Sequence, residues 1–174
     1  MQNLELKSKC ADLAAAGRLA AALGAQRQWR RQQIDTYFKV ATGKLKLREE
    51  EGQTAELIAY NRTAQPDAKI SDYDIYAIDD PLHFKQMLGG VLHVLVVVKK
   101  QRELYLWENV RIHLDSVENL GRFLELEAVL DATNDVVVSR QRIHALMHHF
   151  QIKDDDLMSV GYFELLKEQI ENVA

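Results

Sequence analysis

Residues 43–51 read GKLKLREEE. At the two-residue repeat of a β-strand, Lys44, Lys46 and Arg48 fall on one face while Leu45 and Leu47 fall on the other. Three like charges in a row repel, so that face needs either bulk water or a source of negative charge. The same two-sidedness recurs along the chain. Charged or polar faces are formed by Asn3, Glu5 and Lys7, by Glu56, Tyr60 and Arg62, by Lys100 and Arg102, by Arg111, His113 and Asp115, and by Glu125 and Glu127. The opposite faces carry Leu4, Leu6, Leu57, Ile112, Leu114, Leu124 and Leu126.

Working outward, the pattern predicts eight strands. They lie near residues 2–9, 28–40, 44–51, 54–62, 72–78, 93–108, 110–117 and 121–130. Helical spacing predicts a first helix in ADLAAAGRLAAALG, stopped at Gly24, and a second in DPLHFKQMLGG, with Asp80 as N-cap and Pro81 in its first turn. Further helices are expected in VSRQRIHALMHHF and, after the acidic run 154–156, in LMSVGYFELLKEQI. TAQPDAKISD, 63–72, reads as a polar loop. With 174 residues and no Pro/Gly-rich linker, residues 1–174 are expected to form a single domain.

Composition narrows the function classes. The chain is 47% hydrophobic and 28% charged, an ordinary globular balance, with a net charge of −4. A pI near 5.9 argues against a nucleic-acid coat, since phosphate-tracking proteins carry a basic face. A polyanion site would have to be local. Cys10 is the single cysteine, so an intrachain disulfide and a thiolate metal cluster are both excluded, and it reads as a small packing residue on the first helix. The start, MQNLELKSK, lacks the apolar run of a signal peptide, and VLHVLVVV at 91–98 is too short for a membrane span. The expectation is a cytoplasmic protein without membrane or nucleic-acid partners.

Apolar helices can cover the leucine faces, which makes those faces the core and leaves the charged faces wet. Two arrangements satisfy that. In one, an open sheet exposes its charged side to solvent; in the other, the sheet curls so that the charged faces converge on a water-filled tunnel. A membrane barrel shares the second polarity, but the intervening helices speak against it.

The order NLELK (3–7), DTYF (35–38), KLKLRE (44–49), ELIAYNR (56–62), VKKQRELYL (98–106), RIHLD (111–115) and FLELEAVL (123–130) resembles the CYTH superfamily, as does MSVGYFELL (158–166). It is most similar to the class IV adenylate cyclase-like branch, whose relatives include thiamine triphosphatase and inorganic triphosphatases. The resemblance implies an α+β fold, an eight-stranded antiparallel closed β-barrel (tunnel) with flanking helices. It implies a small-molecule triphosphate as ligand (ATP, thiamine triphosphate or tripolyphosphate), with Mg²⁺ or Mn²⁺ as cofactor, and it is compatible with a homodimer. A metal-dependent cyclase making cyclic AMP and pyrophosphate is the leading expectation; a triphosphatase or a non-catalytic binding module is the alternative.

Site residues follow from the same resemblance. Lys46, Arg48, Arg62, Lys100, Arg102 and Arg111 match phosphate-binding positions, with Lys44 and Lys7 beside them. Glu5, Glu125 and Glu127 match metal ligands, and Asp115 or Glu56 supporting ones; Glu5, Lys7 and Lys100 are the implied catalytic residues. The family's ExExK motif falls on Asn3, Glu5 and Lys7, so its first acid is an asparagine here. The organic part of a substrate is expected to meet loop residues near Lys69 and Tyr73. Outside this set, His144 and His148 stand four apart on a helix but lack a third ligand, His113 reads as a neutral hydrogen-bonded residue, and Trp29 and Trp107 read as packing residues.

Overall fold

The computed structural model describes residues 1–62 and 68–172, with only the backbone of Arg62. In chain order the elements are β1 (Gln2–Lys9), α1 (Leu13–Ala22), β2 (Gln26–Phe38), β3 (Lys44–Glu50), β4 (Ala55–Arg62), β5 (Lys69–Ile78) and α2 (Pro81–Leu92). They continue with β6 (Val94–Trp107), β7 (Val110–Val117), β8 (Gly121–Val129), α3 (Val136–His149), a 3₁₀ turn at Asp154–Asp156 and α4 (Tyr162–Glu171). The strands close into one antiparallel barrel in the order β1-β5-β4-β3-β2-β6-β7-β8, the second of the two arrangements open to the sequence. Among the described residues, no helix is long and apolar enough to cross a membrane.

Closure turns each strand's alternation into an inside and an outside. Outside, Leu4, Leu6, Ile112, Leu114, Leu124 and Leu126 pack under α1 and α3 through Ala16, Ala20, Ile143 and Leu146. Leu45, Leu47 and Leu57 pack with Phe38 and Ile78 under Phe84, Leu88 and Leu92 of α2. Leu47 is fully buried, and each such leucine contributes about 1.5–3 kcal/mol relative to exposure. Gly43 opens β3 at φ +68, and a Cβ there would lie 2.5 Å from Asn61 Oδ1, so the tight entry into this strand requires glycine.

The interior is not charged throughout. Toward one end, the inward positions of four strands become Tyr37, Ile58, Tyr60, Val96, Val98 and Phe123, and α4 seals that end with Tyr162 and Leu166. Two expected boundaries shift for related reasons. β5 begins at Lys69, inside the segment expected to be a loop, because Lys69–Asp72 pair with Gln2–Glu5 of β1 and complete the barrel; residues 63–67 of that loop lie outside the described residues. The last helix begins at Tyr162, not near 157. Leu157 bridges Ser8, and Met158 N–H donates to the Lys7 carbonyl, so these residues lie extended along β1 until Gly161 caps α4. In both places, tertiary pairing overrides a locally ambiguous pattern.

Candidate functional site: a charged chamber inside the barrel

The barrel encloses a cavity of about 370 Å³, within the range of small-ligand sites. Its walls are Asn3, Glu5 and Lys7 of β1, Gln33, Asp35 and Tyr37 of β2, Lys46, Arg48 and Glu50 of β3, Glu56 of β4, Tyr73 of β5, Lys100 and Arg102 of β6, Arg111 and His113 of β7, and Glu125 and Glu127 of β8. The first turn of α4 adds Tyr162 and Phe163 at the sealed end. Away from α4 the lining runs to Trp29, Leu104, Ile75 and Arg111; the Arg111 side chain is 42% exposed, which marks this as the solvent end.

Two paired groups organise the chamber. The first is centred on Asp35, which is 1% exposed. Arg48 donates from Nε to Oδ1 (2.7 Å) and from Nη2 to Oδ2 (3.0 Å), and Oδ2 also accepts from Lys100 Nζ (3.0 Å) and Lys46 Nζ (3.2 Å). Burial alone would raise the Asp35 pKa, but Arg48, Lys100 and Lys46 outweigh it and hold this carboxyl well below its usual range. Lys100 feels burial most, with Arg102 and Arg48 acting in the same direction and Asp35 against them, and is pulled down to about 8.

The second group is centred on Arg102, which grips Asp115 with Nε and Nη2 (2.7 and 2.6 Å) and Glu125 with Nη2 (2.6 Å). Lys7 Nζ lies 2.9 Å from the other Glu125 oxygen, and the Tyr162 hydroxyl donates to Asp115 Oδ2 at 2.8 Å. Against the effect of burial, Arg102 lowers the Asp115 pKa, and Lys7 and Arg102 lower that of Glu125. Burial and the neighbouring carboxylates push the Tyr162 phenol well up, so it remains a neutral donor. Lys7 also sits 4.2 Å over the Tyr162 ring. Five cations (Lys7, Lys46, Arg48, Lys100, Arg102) and three carboxylates (Asp35, Asp115, Glu125) make up this inner group, and Glu5, Glu50, Glu56 and Glu127 add acids to the same lining.

The expected site residues divide on their placement. Glu5, Lys7, Lys46, Arg48, Lys100, Arg102, Arg111, Glu125 and Glu127 are brought to the one cavity, as is Glu56. Lys44 instead pairs with Glu164 at the start of α4, and Asp115 lies behind Arg102, its oxygens committed to the guanidinium and Tyr162. Arg62 ends β4, and its side chain lies outside the described residues. Lys69 donates to the Ser159 carbonyl, whereas Tyr73 does line the cavity. His144 and His148 are exposed on α3 and Trp107 packs against the outer core, as expected; Trp29, read as a packing residue, lines the solvent end, with the Arg31 guanidinium 4.7 Å over its ring. Burial, then Arg102, lowers the His113 pKa; its Nδ1 and Nε2 lie 3.5 Å from Glu125 and Glu127, and as a neutral ring it donates to one of the two.

Asn3 shows what replaced the first acid of the motif. Its amide donates to Glu127 Oε1, and its carbonyl accepts from the Tyr73 hydroxyl at 3.3 Å. Asn3 therefore ties strands β1, β5 and β8 together through one hydrogen bond to a carboxylate and one to a phenol. Among the described residues, no three His, Cys, Asp or Glu side chains converge as a shell for an ion. Glu125 is taken by Lys7 and Arg102, and Glu127 faces Asn3, Arg111 and His113. As placed, these donors do not fit an Mg²⁺ or Mn²⁺ site.

Sequence reasoning missed Asp35, Gln33, Glu50, Tyr162 and Glu164. Asp35 was within reach, since alternation from Gln33 to Tyr37 puts it on a polar face. Tyr162 and Glu164 were not, because a helix reaching into a barrel end leaves no periodic mark on the strands.

Comparison with known proteins agrees with this architecture. The model of the CYTH domain matches residues 1–162. A Methanocaldococcus jannaschii protein provisionally named an adenylate cyclase is 26% identical over 140 residues, covering 76% of this chain and 75% of its own. Among solved structures, a Pyrococcus horikoshii protein superposes with a TM-score of 0.84 at 22% identity, covering 94% of this chain and 98% of its own. A provisionally named adenylyl cyclase from Hippeastrum, described as having a dominant triphosphatase activity, gives 0.67 at 16% identity, covering 97% and 95%. At these identities the solved structures speak for the fold alone. With a closed eight-stranded barrel, an interior of paired charges and a family match over most of its length, the chain belongs to the CYTH domain family.

Proposed function

We propose that the chamber binds the phosphate chain of a nucleotide or other triphosphate and that the protein acts on it as an enzyme. The observation that carries this reading is the convergence of Lys46, Arg48, Lys100 and Arg102, from strands far apart in sequence, on one small cavity. Charged hydrogen bonds from Lys46, Arg48, Lys100 and Arg102 suit phosphate oxygens, and arginine forks match them two at a time. Such a site works by holding the chain in line and neutralising charge as it shifts between oxygens. Cyclisation of ATP, with the 3′ hydroxyl attacking the α-phosphorus and pyrophosphate leaving, is the first reading, after the M. jannaschii relative's name. Hydrolysis of a terminal phosphate is the second, supported by the activity stated for the Hippeastrum protein.

The test is incubation with ATP, thiamine triphosphate and tripolyphosphate, with and without Mg²⁺ or Mn²⁺, identifying each product. Cyclic AMP with pyrophosphate supports the cyclase, and ADP with phosphate rejects it in favour of the triphosphatase. The hydrogen-bonded amide at Asn3 favours one further reading, in which the chain binds triphosphate without turnover. Tight binding of tripolyphosphate with no product from any substrate selects it, and turnover gained in Asn3→Glu points to the missing carboxylate as the cause. Absence of tripolyphosphate binding in calorimetry defeats all three.

A further inference from the structure

Asp35 belongs to no role considered so far. It is an acid at the centre of the cations that a phosphate chain would use, so it has to be either their competitor ligand or their organiser. Strand order bears on the choice. β2 lies between β3 and β6 in the barrel, the two strands that supply Lys46, Arg48 and Lys100, and Asp35 pairs across to Arg48 on one side and to Val98 on the other. It thus sits at the midpoint of three long side chains that come from opposite directions. Both its oxygens are engaged and it is 1% exposed; Asp115 and Glu125 are committed to Arg102 and Lys7, and Glu56 stands across from Arg48 on β4. Without its charge, Lys46, Arg48, Lys100 and the adjacent Arg102, all buried or nearly so, would repel one another inside the barrel.

We infer that Asp35 is a positioning residue for the anion: its carboxylate gathers Lys46, Arg48 and Lys100 into one preformed receptor for a phosphate group. This inference rests on the triphosphate reading above. A receptor assembled in advance binds more tightly than three chains that must be collected by the ligand, because their ordering is already complete. The ring of Tyr37, two residues along β2, lies 5.6 Å from Lys46 Nζ and braces the same cluster. Asp35 has a second effect. The groups facing Lys100 are Asp35, Arg48, Arg102, Asp115 and the Tyr162 ring, and of these Asp35 contributes most to keeping its ammonium protonated.

The experiment is calorimetric binding of tripolyphosphate to the wild type, Asp35→Asn and Asp35→Glu across pH 6–9. The expected result is that Asp35→Asn binds about tenfold or more weakly, although it removes a negative charge from an anion site, while Asp35→Glu recovers much of the loss. In the wild type, affinity falls as pH rises through about 8, where Lys100 loses its proton, and in Asp35→Asn that fall moves to lower pH. A role confined to folding would leave the pH profile of the folded variant unchanged. Equal or tighter binding by Asp35→Asn overturns the inference and makes Asp35 a competitor. If the wild type does not bind, the triphosphate reading has failed and this inference falls with it. If Asp35→Asn does not fold, ¹³C NMR of the wild-type Asp35 carboxyl with tripolyphosphate bound decides: an ionised signal down to pH 4 supports the organiser, and titration in the ordinary carboxylate range overturns it.

Discussion

The row of Lys44, Lys46 and Arg48 shows how a residue pattern can be right about chemistry and incomplete about its partners. The like charges are compensated within the protein, Lys46 and Arg48 by Asp35 and Lys44 by Glu164, so a ligand would add to an existing network. Arg48→Ala should weaken tripolyphosphate binding by about 1.5–3 kcal/mol, the scale of a hydrogen bond to a charged group, as read by calorimetry. Unaltered affinity would place the anion elsewhere in the barrel. Arg102 carries a different weight, because it is the shared partner of two buried carboxylates. Arg102→Met should cost about 3–5 kcal/mol of stability in denaturant unfolding, since Asp115 would be left without its main partner and Glu125 with Lys7 alone of its two close cations. A loss under 1 kcal/mol would mean that water reaches these acids freely.

At the level of elements, α4 is the least legible part of the chain and one of the more consequential. Its amphipathic pattern announced a helix, yet nothing in that pattern said that its first turn enters the barrel end or that Tyr162 bonds to Asp115. Tyr162→Phe retains the ring against Phe123 and Leu166 while removing one hydrogen bond to a charged group, so α4 should dock less firmly by about 1.5–3 kcal/mol. Faster hydrogen exchange across Tyr162–Glu171, with β7 and β8 less affected, is the expected signature. Unchanged protection in α4 would show that its apolar contacts suffice. The late start of this helix has the same origin, since Leu157 and Met158 find backbone partners on β1 that a helix would forgo.

For the molecule as a whole, the buried acids set the pH range of stability. Asp35, Asp115 and Glu125 have folded-state pKa values below their ordinary ones, so the unfolded chain takes up protons first as pH falls. Their stabilisation is fully present above about pH 5, where the unfolded carboxyls are ionised, and drains away as pH falls through and below the ordinary carboxylate range. Lys100 is likewise lowered, to about 8, although here folding disfavours the charged form, so stability also rises with pH from there toward its ordinary value of 10.5. Denaturant midpoints measured from pH 3 to 10 should therefore drop steeply on the acid side. A flat acid limb would show that these carboxylates are not held by their cations in solution.

What the sequence determined by itself was the two-sidedness of the strands and the chemistry of the site. Alternation at Lys44–Arg48, Lys100–Arg102 and Glu125–Glu127 is written residue by residue, because a strand cannot avoid sorting neighbours onto opposite faces. Whether those faces met solvent or one another was decided only by tertiary structure, through the short β1–β5 seam that closes the barrel with residues from an apparent loop. The pairing of each cation was decided there too. Asp35 meets Lys100, and Tyr162 meets Asp115, across gaps of 65 and 47 residues, distances over which a local pattern carries no information about which charges will share a cavity.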